Sequence, residues 1–592
     1  MPGIYGYIKS KKIEAGSLDV MANVMHLYPH FIQDKLFEDD NIAVSRTHIG
    51  GMGEKDTPIV KQDIFLWVEG EAYNVDEVCD DLGLDRGTFS ESFLAAYDSN
   101  ILERFLNKVD GFYCAVLYDA TKKKIKLVSD RYGMRMLYFY VKNGVFIWAS
   151  EVKGILVIAG VDKTLNPNSL PCFMALGYLL ATETHFKNIQ LISPATIIDY
   201  DLVTEERTSH YYWKWSEITP NAMSFEQAVD ELGRKFIKAV ERRFTPQENI
   251  GVALSGGLDS RAILAAVNEL YPKFKGYCYT FGLTDCDDIT IADQVAKLTG
   301  WKHQTFNLNH YSWFTPRIKK IRDTDGMLDM MHMHGSEFCS DVSKKMQINL
   351  NGYAGDLVLG GGFLNSIELN QRADIKNIKG FYKEFVHLID VEDDFYNLSK
   401  VEPILYMNRV RRFTGGGVVN ALPFIQQRMP FFDNDIVELI FSLPDEYRKD
   451  NKLYAAMLKK FFPSLFNKVV WQKTGKVIGA STYRTLLVRI MDLLKRKACK
   501  IMNKRSTQEY VDYPNWIRET GTATFLKDLL GNDQALYRAL TKDDFYKKYL
   551  IPHLKSKYVN YSNEILRAAT FELYLREINE LPMQATTDRA LK

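Results

Sequence analysis

Cysteine is scarce: seven in 592 residues (Cys79, Cys114, Cys172, Cys278, Cys286, Cys339 and Cys499). Odd in number, scattered and without a CxxC pair, they exclude a disulfide framework and a paired-cysteine zinc site, and they fit a reducing compartment. Long hydrophobic runs are absent too. No stretch approaches the roughly 20 apolar residues of a membrane-spanning helix, and the opening MPGIYGYIKSKK has no basic segment followed by an apolar run, as a secretory signal needs. A cytoplasmic protein without a membrane partner is expected. An excess of one charge is also missing: Lys and Arg number 75, Asp and Glu 74, and the formal net charge is +1. Without a global field, no nucleic-acid partner is expected. Internal repeats and low-complexity tracts are lacking.

What is present is ordinary globular material, 46% hydrophobic, 13% aromatic and 25% charged. The chain is too long for one core, so at least two domains are expected. The first third alternates in short strands: Ile64 to Glu69, Phe112 to Tyr118, Lys124 to Ser129, Leu137 to Val141 and Val145 to Ala149, with a helical stretch near Glu91 to Lys108. Thr219-Pro220-Asn221 interrupts this pattern before a helix from about Phe225 to Arg243. The boundary placed there gives domains 1–215 and 216–592. From Asn249 the pattern turns to strand, Gly-rich turn, helix (Arg261 to Leu270), strand (Gly276 to Phe281) and helix (Thr290 to Thr299), a nucleotide-binding style of α/β sheet. After about Val401 helices dominate, including amphipathic stretches at Ile436 to Leu443, Leu453 to Phe462 and a basic one at Tyr483 to Met502, read as a solvated face.

Ser255-Gly256-Gly257-Leu258-Asp259-Ser260 follows the apolar strand Ile250 to Leu254 and leads into a helix. Two glycines let backbone N–H groups converge on an anion, Ser255 and Ser260 offer hydroxyls, and the helix N-terminus adds a favourable potential. The lysine of the GxxxxGK[ST] loop is missing. Asp259 instead sets a carboxylate beside the phosphates, which suits Mg²⁺. The alternative is a plain strand-to-helix turn capped by Ser260.

SGGLDS after an apolar strand resembles the pyrophosphate-binding loop of the PP-loop ATP pyrophosphatases, and the wider pattern is similar to asparagine synthetase and its relative β-lactam synthetase. Val44-Ser45-Arg46, Val68-Glu69-Gly70-Glu71-Ala72-Tyr73-Asn74, Asp110-Gly111-Phe112, Ser129-Asp130-Arg131-Tyr132-Gly133 and Ala149-Ser150-Glu151-Val152-Lys153 follow the order of that family's glutamine-amidotransferase domain. Asn351-Gly352-Tyr353-Ala354-Gly355-Asp356 with Gly360-Gly361 looks like its second substrate loop. Gln427-Arg428-Met429-Pro430-Phe431-Phe432-Asp433 and Trp471-Gln472-Lys473 resemble its RVPFLD and WRQK-like segments. The resemblance implies an Ntn-hydrolase-like α+β sandwich (αββα), then an α/β PP-loop synthetase domain with a helical C-terminal part. It further implies that Leu254, Ser255, Gly256, Gly257, Asp259, Ser260 and Gly352 hold ATP, that Asp259 and Asp356 bind Mg²⁺, and that Lys473 stabilises charge at the transferring phosphates. Read without the resemblance, Asp356 could be an Asx-turn and Lys473 a surface lysine.

Two departures qualify it. The family's N-terminal-nucleophile glutaminase needs a cysteine thiolate; here stands Pro2, and the nearest cysteine is Cys79. Glu69 replaces the asparagine that donates to the oxyanion. Both oppose glutamine hydrolysis, so the first domain is expected to have lost it. Tyr353 stands where asparagine synthetases carry glutamate and where β-lactam and carbapenam synthetases carry a tyrosine that, paired with a glutamate, helps deprotonate the substrate amine. Tyr353 is thus a candidate base, with Glu402 or Glu384 as partner, or else a pocket wall. The expected activity is an ATP-dependent, AMP-forming amide ligase joining a small-molecule or peptide carboxylate to an amine without its own glutaminase, with a homodimer admitted as an assembly. Its alternatives are a divergent asparagine synthetase using ammonia to amidate aspartate or a sugar acid, and a non-catalytic scaffold.

Overall fold

The computed structural model describes residues 2–50, 57–478 and 507–581; the stretch Tyr483 to Met502 lies outside them. Two antiparallel sheets form the first part. One has the order Ile189–Leu191, Tyr138–Lys142, Val145–Ala149, Gly3–Ile8, Ile42–His48, Ile32–Gln33, with Phe37–Glu38 also pairing Ile42–His48. The other runs Arg207–Tyr211, Thr196–Asp201, Lys124–Ser129, Gly111–Asp119, Ile64–Ala72, Ile59–Lys61.

The period-2 pattern decides which side each residue serves. Along Gly111–Asp119, Cys114, Val116 and Tyr118 enter the core between the sheets, meeting Ile4, Ile42, Val44 and Trp148 of the other sheet. Tyr113, Ala115 and Leu117 face the opposite way, toward the side covered by the helix Phe89–Asp98, and the helices Ser17–Met25 and Val152–Leu156 lie against the other sheet. The layers are therefore helix, sheet, sheet, helix. Trp67 and Trp148 are fully buried between the sheets; truncating either to alanine would cost about 3–5 kcal/mol. The helix expected from Glu91 to Lys108 is two helices, Phe89–Asp98 and Leu102–Lys108. The chain breaks at Asn100, whose φ of 55° belongs to the left-handed region.

The second part is built on a five-stranded parallel sheet with spatial order Lys302–Asn307, Tyr277–Gly282, Ile250–Ala253, Ile348–Leu350, Gln426–Arg428. Chain order runs outward from Ile250–Ala253 to one edge, then resumes on its other side at Ile348–Leu350. In open parallel sheets, the crevice at such a switch in direction, beyond the carboxyl ends of the strands, is where ligands bind. The loops that leave these two strands are Leu254–Leu258 and Asn351–Ala354. The helix Phe225–Arg242 opens with a capping box, the Gln227 N–H donating to Ser224 Oγ (3.2 Å) and the Ser224 N–H to Gln227 Oε1 (2.9 Å). It packs on Lys452–Phe461 so closely at Gly233 that a Cβ there would lie 2.2 Å from the Phe461 ring.

Buried ions join the two parts. Arg243 bridges Asp110 (2.6 Å) and Asp433 (2.8 Å), Arg428 bridges Glu71 (2.8 Å) and Glu248 (2.6 Å), and Lys153 meets Glu151 (2.9 Å) and Asp325 (3.4 Å). Arg243, Asp110 and Asp433 are almost wholly excluded from water. Such ions persist only when each has its partners, because an uncompensated buried charge is costly. No helix among the described residues is long and apolar enough to cross a membrane.

Candidate functional site

The strand Ile250–Ala253 delivers the chain to the crevice, and Leu254 is held there from both sides. Its N–H donates to the Tyr279 carbonyl (2.8 Å), and its own carbonyl accepts from Thr280 Oγ1 (2.7 Å). The next residues close a compact turn: the Ser255 N–H donates to Ser260 Oγ (3.1 Å) and the Gly257 N–H to Ser255 Oγ (3.2 Å). The helix Asp259–Leu270 starts here with Leu258 as its cap residue and no side chain capping it. Its first-turn N–H groups therefore lack a side-chain acceptor, as an anion site requires.

One backbone donor expected to face an anion is already engaged. The Gly256 N–H donates to Asp288 Oδ1 (2.8 Å), and Asp288 Oδ2 accepts from Gln472 Nε2 (2.7 Å). Buried Arg261 adds a second clasp, donating to the carbonyls of Gly256 (3.1 Å), Val469 (3.2 Å) and Val470 (3.0 Å). Two hundred residues of chain are thus folded back so that Trp471-Gln472-Lys473 lies on the Gly-rich turn. Lys473 is exposed, its Nζ 5.4 Å from the centre of the Trp471 ring, and its charge acts on the Asp356 carboxyl. Neither Asp288 nor Arg261 was singled out by sequence reasoning. The only signal was an acidic pair, Asp287-Asp288, opening a helix behind a parallel strand.

The second loop packs onto the first. A Cβ on Gly355 would lie 2.6 Å from Asp259 Cγ, and one on Gly352 would lie 3.0 Å from the Ser260 nitrogen. This closeness fits glycine at both positions. The Asp356 N–H donates to Asp259 Oδ2 (3.0 Å), and Tyr454 Oη donates to Asp259 Oδ1 (3.0 Å). Burial and the neighbouring Asp356 charge raise the Asp259 carboxyl well above the usual range; burial raises Asp356, partly opposed by Lys473. Neither carboxylate forms an ion pair among the described residues closer than 4 Å. Two neighbouring acids with no ion-paired cation within 4 Å among the described residues fit a divalent ion, which Asp259 and Asp356 would hold and which would supply positive charge beside the phosphates. Among the described residues no cluster of three or more His, Cys, Asp or Glu forms an all-protein metal cage.

Tyr353 does not fit the role of a paired base. Its hydroxyl is buried, donates to the Val410 carbonyl (2.7 Å) and is pushed upward in pKa by that burial. Neither proposed acid partner serves it. Glu402 is bound by both terminal nitrogens of Arg448 and accepts from Tyr406 Oη (3.4 Å), while Glu384 is exposed. The one other acceptor of the Tyr353 hydroxyl among the described residues is Met134 Sδ (3.9 Å). Tyr353 thus lies between the second loop and the helical segment Tyr406–Thr414.

In the first domain, Pro2 leads into the strand Gly3–Ile8. Arg46, in the block that resembles the amidotransferase domain's, is buried and donates to Asp34 Oδ2 (2.7 Å) and to the Val68 carbonyl (2.7 Å). Glu69 is 1% exposed, and neither carboxyl oxygen accepts a hydrogen bond among the described residues; Arg135 is 3.6 Å away. Burial raises its pKa. Cys114, the cross-strand partner of Glu69, is buried with its thiol pushed up to about 12, and so is no ready nucleophile.

Comparison with known proteins places both halves. Residues 1–213 match the glutamine amidotransferase domain and residues 231–406 match asparagine synthase. The two acidic loops lie within the second match, and Lys473 lies beyond it. A Methanocaldococcus jannaschii protein provisionally named asparagine synthetase (glutamine-hydrolyzing) 1 is 21% identical over 89% of this chain and 90% of its own length. The asparagine synthetase (glutamine-hydrolyzing) of Gallus gallus is 24% identical over 78% of this chain and 81% of its own. A second M. jannaschii protein of the same provisional name, numbered 2, is 25% identical over 59% and 68%. The chain thus carries a glutamine amidotransferase domain followed by an asparagine synthase domain, and is an ATP-dependent carbon–nitrogen ligase.

Proposed function

We propose that the chain adenylates a carboxylate, releases pyrophosphate, and joins the activated acyl group to an amine that it does not draw from glutamine. The observation that carries the reading is the Asp259–Asp356 pair at the switch point of the sheet, joined by the Asp356 N–H on the Asp259 carboxylate, with the Lys473 charge acting on Asp356. In adenylation, the carboxylate oxygen bonds to the α-phosphorus while the bond to the β,γ-diphosphate breaks, so negative charge gathers on groups that need cationic neighbours. Ser255, Ser260 and the first turn of Asp259–Leu270 are suited to orient the phosphates, and Leu254, Gly256, Gly257 and Gly352 bring the backbone close. Asp259 and Asp356 would hold Mg²⁺, which neutralises phosphate charge when bound. Lys473 would follow the departing pyrophosphate.

The nitrogen source is the second half of the proposal. Pro2 supplies no thiol, and Glu69 sets an acceptor where an oxyanion would need a donor, which supports loss of glutamine hydrolysis. The names of the relatives make L-aspartate the first carboxylate to test and ammonia the first amine. The experiment is turnover with ¹⁵N-ammonium in one arm and amide-¹⁵N-glutamine in the other. Label entering product from ammonium alone is expected; label from glutamine with no helper glutaminase present would overturn the reading of Pro2 and Glu69.

A further inference from the structure

The Tyr353 hydroxyl donates to the Val410 carbonyl, and on the other side of the same segment, Tyr406–Thr414, a second candidate base lies against Phe413. Asp329 is wholly buried and His332 is about 30% exposed; the His332 Nδ1 lies 2.7 Å from Asp329 Oδ1. Arg567 reaches the other oxygen of Asp329 (3.4 Å). His332 and Arg567 together hold the Asp329 carboxyl below its ordinary pKa despite burial. An ionised Asp329 accepts the Nδ1 proton, which leaves the lone pair on Nε2. That nitrogen has no hydrogen-bond partner among the described residues.

Position joins this pair to the ligase crevice. His334, two residues on, stacks on Phe281 (5.8 Å between ring centres) in the strand Tyr277–Gly282, where the strand ends against the Gly-rich turn. His332 itself meets Phe413 edge-on (4.5 Å), and Phe413 belongs to Tyr406–Thr414, the segment whose Val410 carbonyl receives Tyr353. This segment is wound with i→i+5 hydrogen bonds, a form frequent at functional sites, and continues as Gly415–Ala421. Gly415 packs toward Tyr353, Gly416 toward Leu328, and Gly417 faces open space. The segment and its continuation thus touch both the second acidic loop, through Tyr353, and the Leu328–His334 stretch, through Leu328 and His332.

We propose that His332, oriented by Asp329, is the base that takes the proton from the attacking amine. This rests on the adenylating reading above. Nε2 takes the first proton from ammonium, freeing the lone pair that forms the C–N bond as the C–O bond to AMP breaks; AMP leaves on that electron pair, the acylated nitrogen gives its second proton to water, and the imidazolium, balanced by Asp329, returns its own proton to water. The charged and titratable groups around His332 are Asp329 and Arg567 on one side, His334 on the other, and Arg409 beyond Phe413.

The test compares two nucleophiles on a panel of carboxylates led by L-aspartate, with Mg-ATP at pH 7. Hydroxylamine is largely neutral there and needs no base; ammonium must lose a proton first. For His332→Ala, and less so for Asp329→Asn, the ratio of ammonium-dependent to hydroxylamine-dependent product should fall roughly 100-fold, the scale of general-base help. The ratio should recover toward pH 9.5 or on adding imidazole. An unchanged ratio, or equal loss with both nucleophiles, overturns the assignment of His332. Failure of the wild type to form AMP with every carboxylate overturns the adenylating reading itself, a separate and recognisable result.

Discussion

Replacing Asp259 with asparagine should make the ligand-free protein more stable while it stops adenylation. Asp259 sits against Asp356, and its carboxyl is raised from 3.8 to about 8, burial first and Asp356 second. The native state therefore holds the proton more tightly than the unfolded chain, so stability falls as pH rises between those two values and the full penalty is reached above about 8. At about 1.36 kcal/mol per unit the shift sets a ceiling of roughly 5–6 kcal/mol. Asp259 is only partly buried, at the edge of an open crevice, so water relaxes much of this, and roughly 1–3 kcal/mol is the working expectation. At no more than about 2–4 °C per kcal/mol, the value for domains of about 150–250 residues, Asp259→Asn should melt higher at pH 8 by up to about 12 °C. The gain should shrink toward pH 5, where the wild-type carboxyl is protonated. Melting followed by fluorescence at both pH values, with and without Mg-ATP, is the assay: the nucleotide should stabilise wild type and leave the variant nearly unmoved. A variant that melts at or below wild type at pH 8 would refute the idea that these acids are held in mutual repulsion until a cation arrives.

Tyr353→Phe removes one buried hydrogen bond to the Val410 carbonyl, so stability should fall by about 1 kcal/mol and turnover by less than 10-fold; a loss of 10²-fold or more would restore Tyr353 as a base. Lys473→Ala removes an exposed side chain, so melting should be unchanged while ATP–pyrophosphate exchange falls by roughly 10²-fold; normal exchange would make Lys473 a surface residue. Arg428→Met strands Glu71 and Glu248 at the join between domains and should cost about 3–5 kcal/mol. Calorimetry should then show the two domains melting apart, and a single unchanged transition would count against the ion network as the link.

Much of the fold could be read from the chain because its cues are local. The unbroken apolar run Phe112 to Tyr118 marks a strand buried on both faces, and the strand, turn and acid around Ser255–Ser260 lie within a dozen residues. What escaped is what the chain assembles from afar. Arg261 clasps Val469 and Val470, Tyr454 caps Asp259, and Asp288 takes a backbone donor that the loop alone seemed to reserve for phosphate. No period or spacing reports such pairs. Tyr353 shows the converse: its place in the loop matches that of a base in related sequences, yet the backbone carbonyl that fills its hydrogen bond comes from 57 residues further on. The helix break at Asn100 was missed because asparagine enters the left-handed region at modest cost and leaves only a weak mark in the pattern.

The central claim is that Mg-ATP is cleaved between its α and β phosphates in the crevice between Asp259 and Asp356. Phosphorus NMR of ATP turned over with an accepted carboxylate and ammonium tests it most directly. AMP and pyrophosphate, formed in equal amounts and lost in Asp259→Asn, are the expected products; ADP with inorganic phosphate would contradict it.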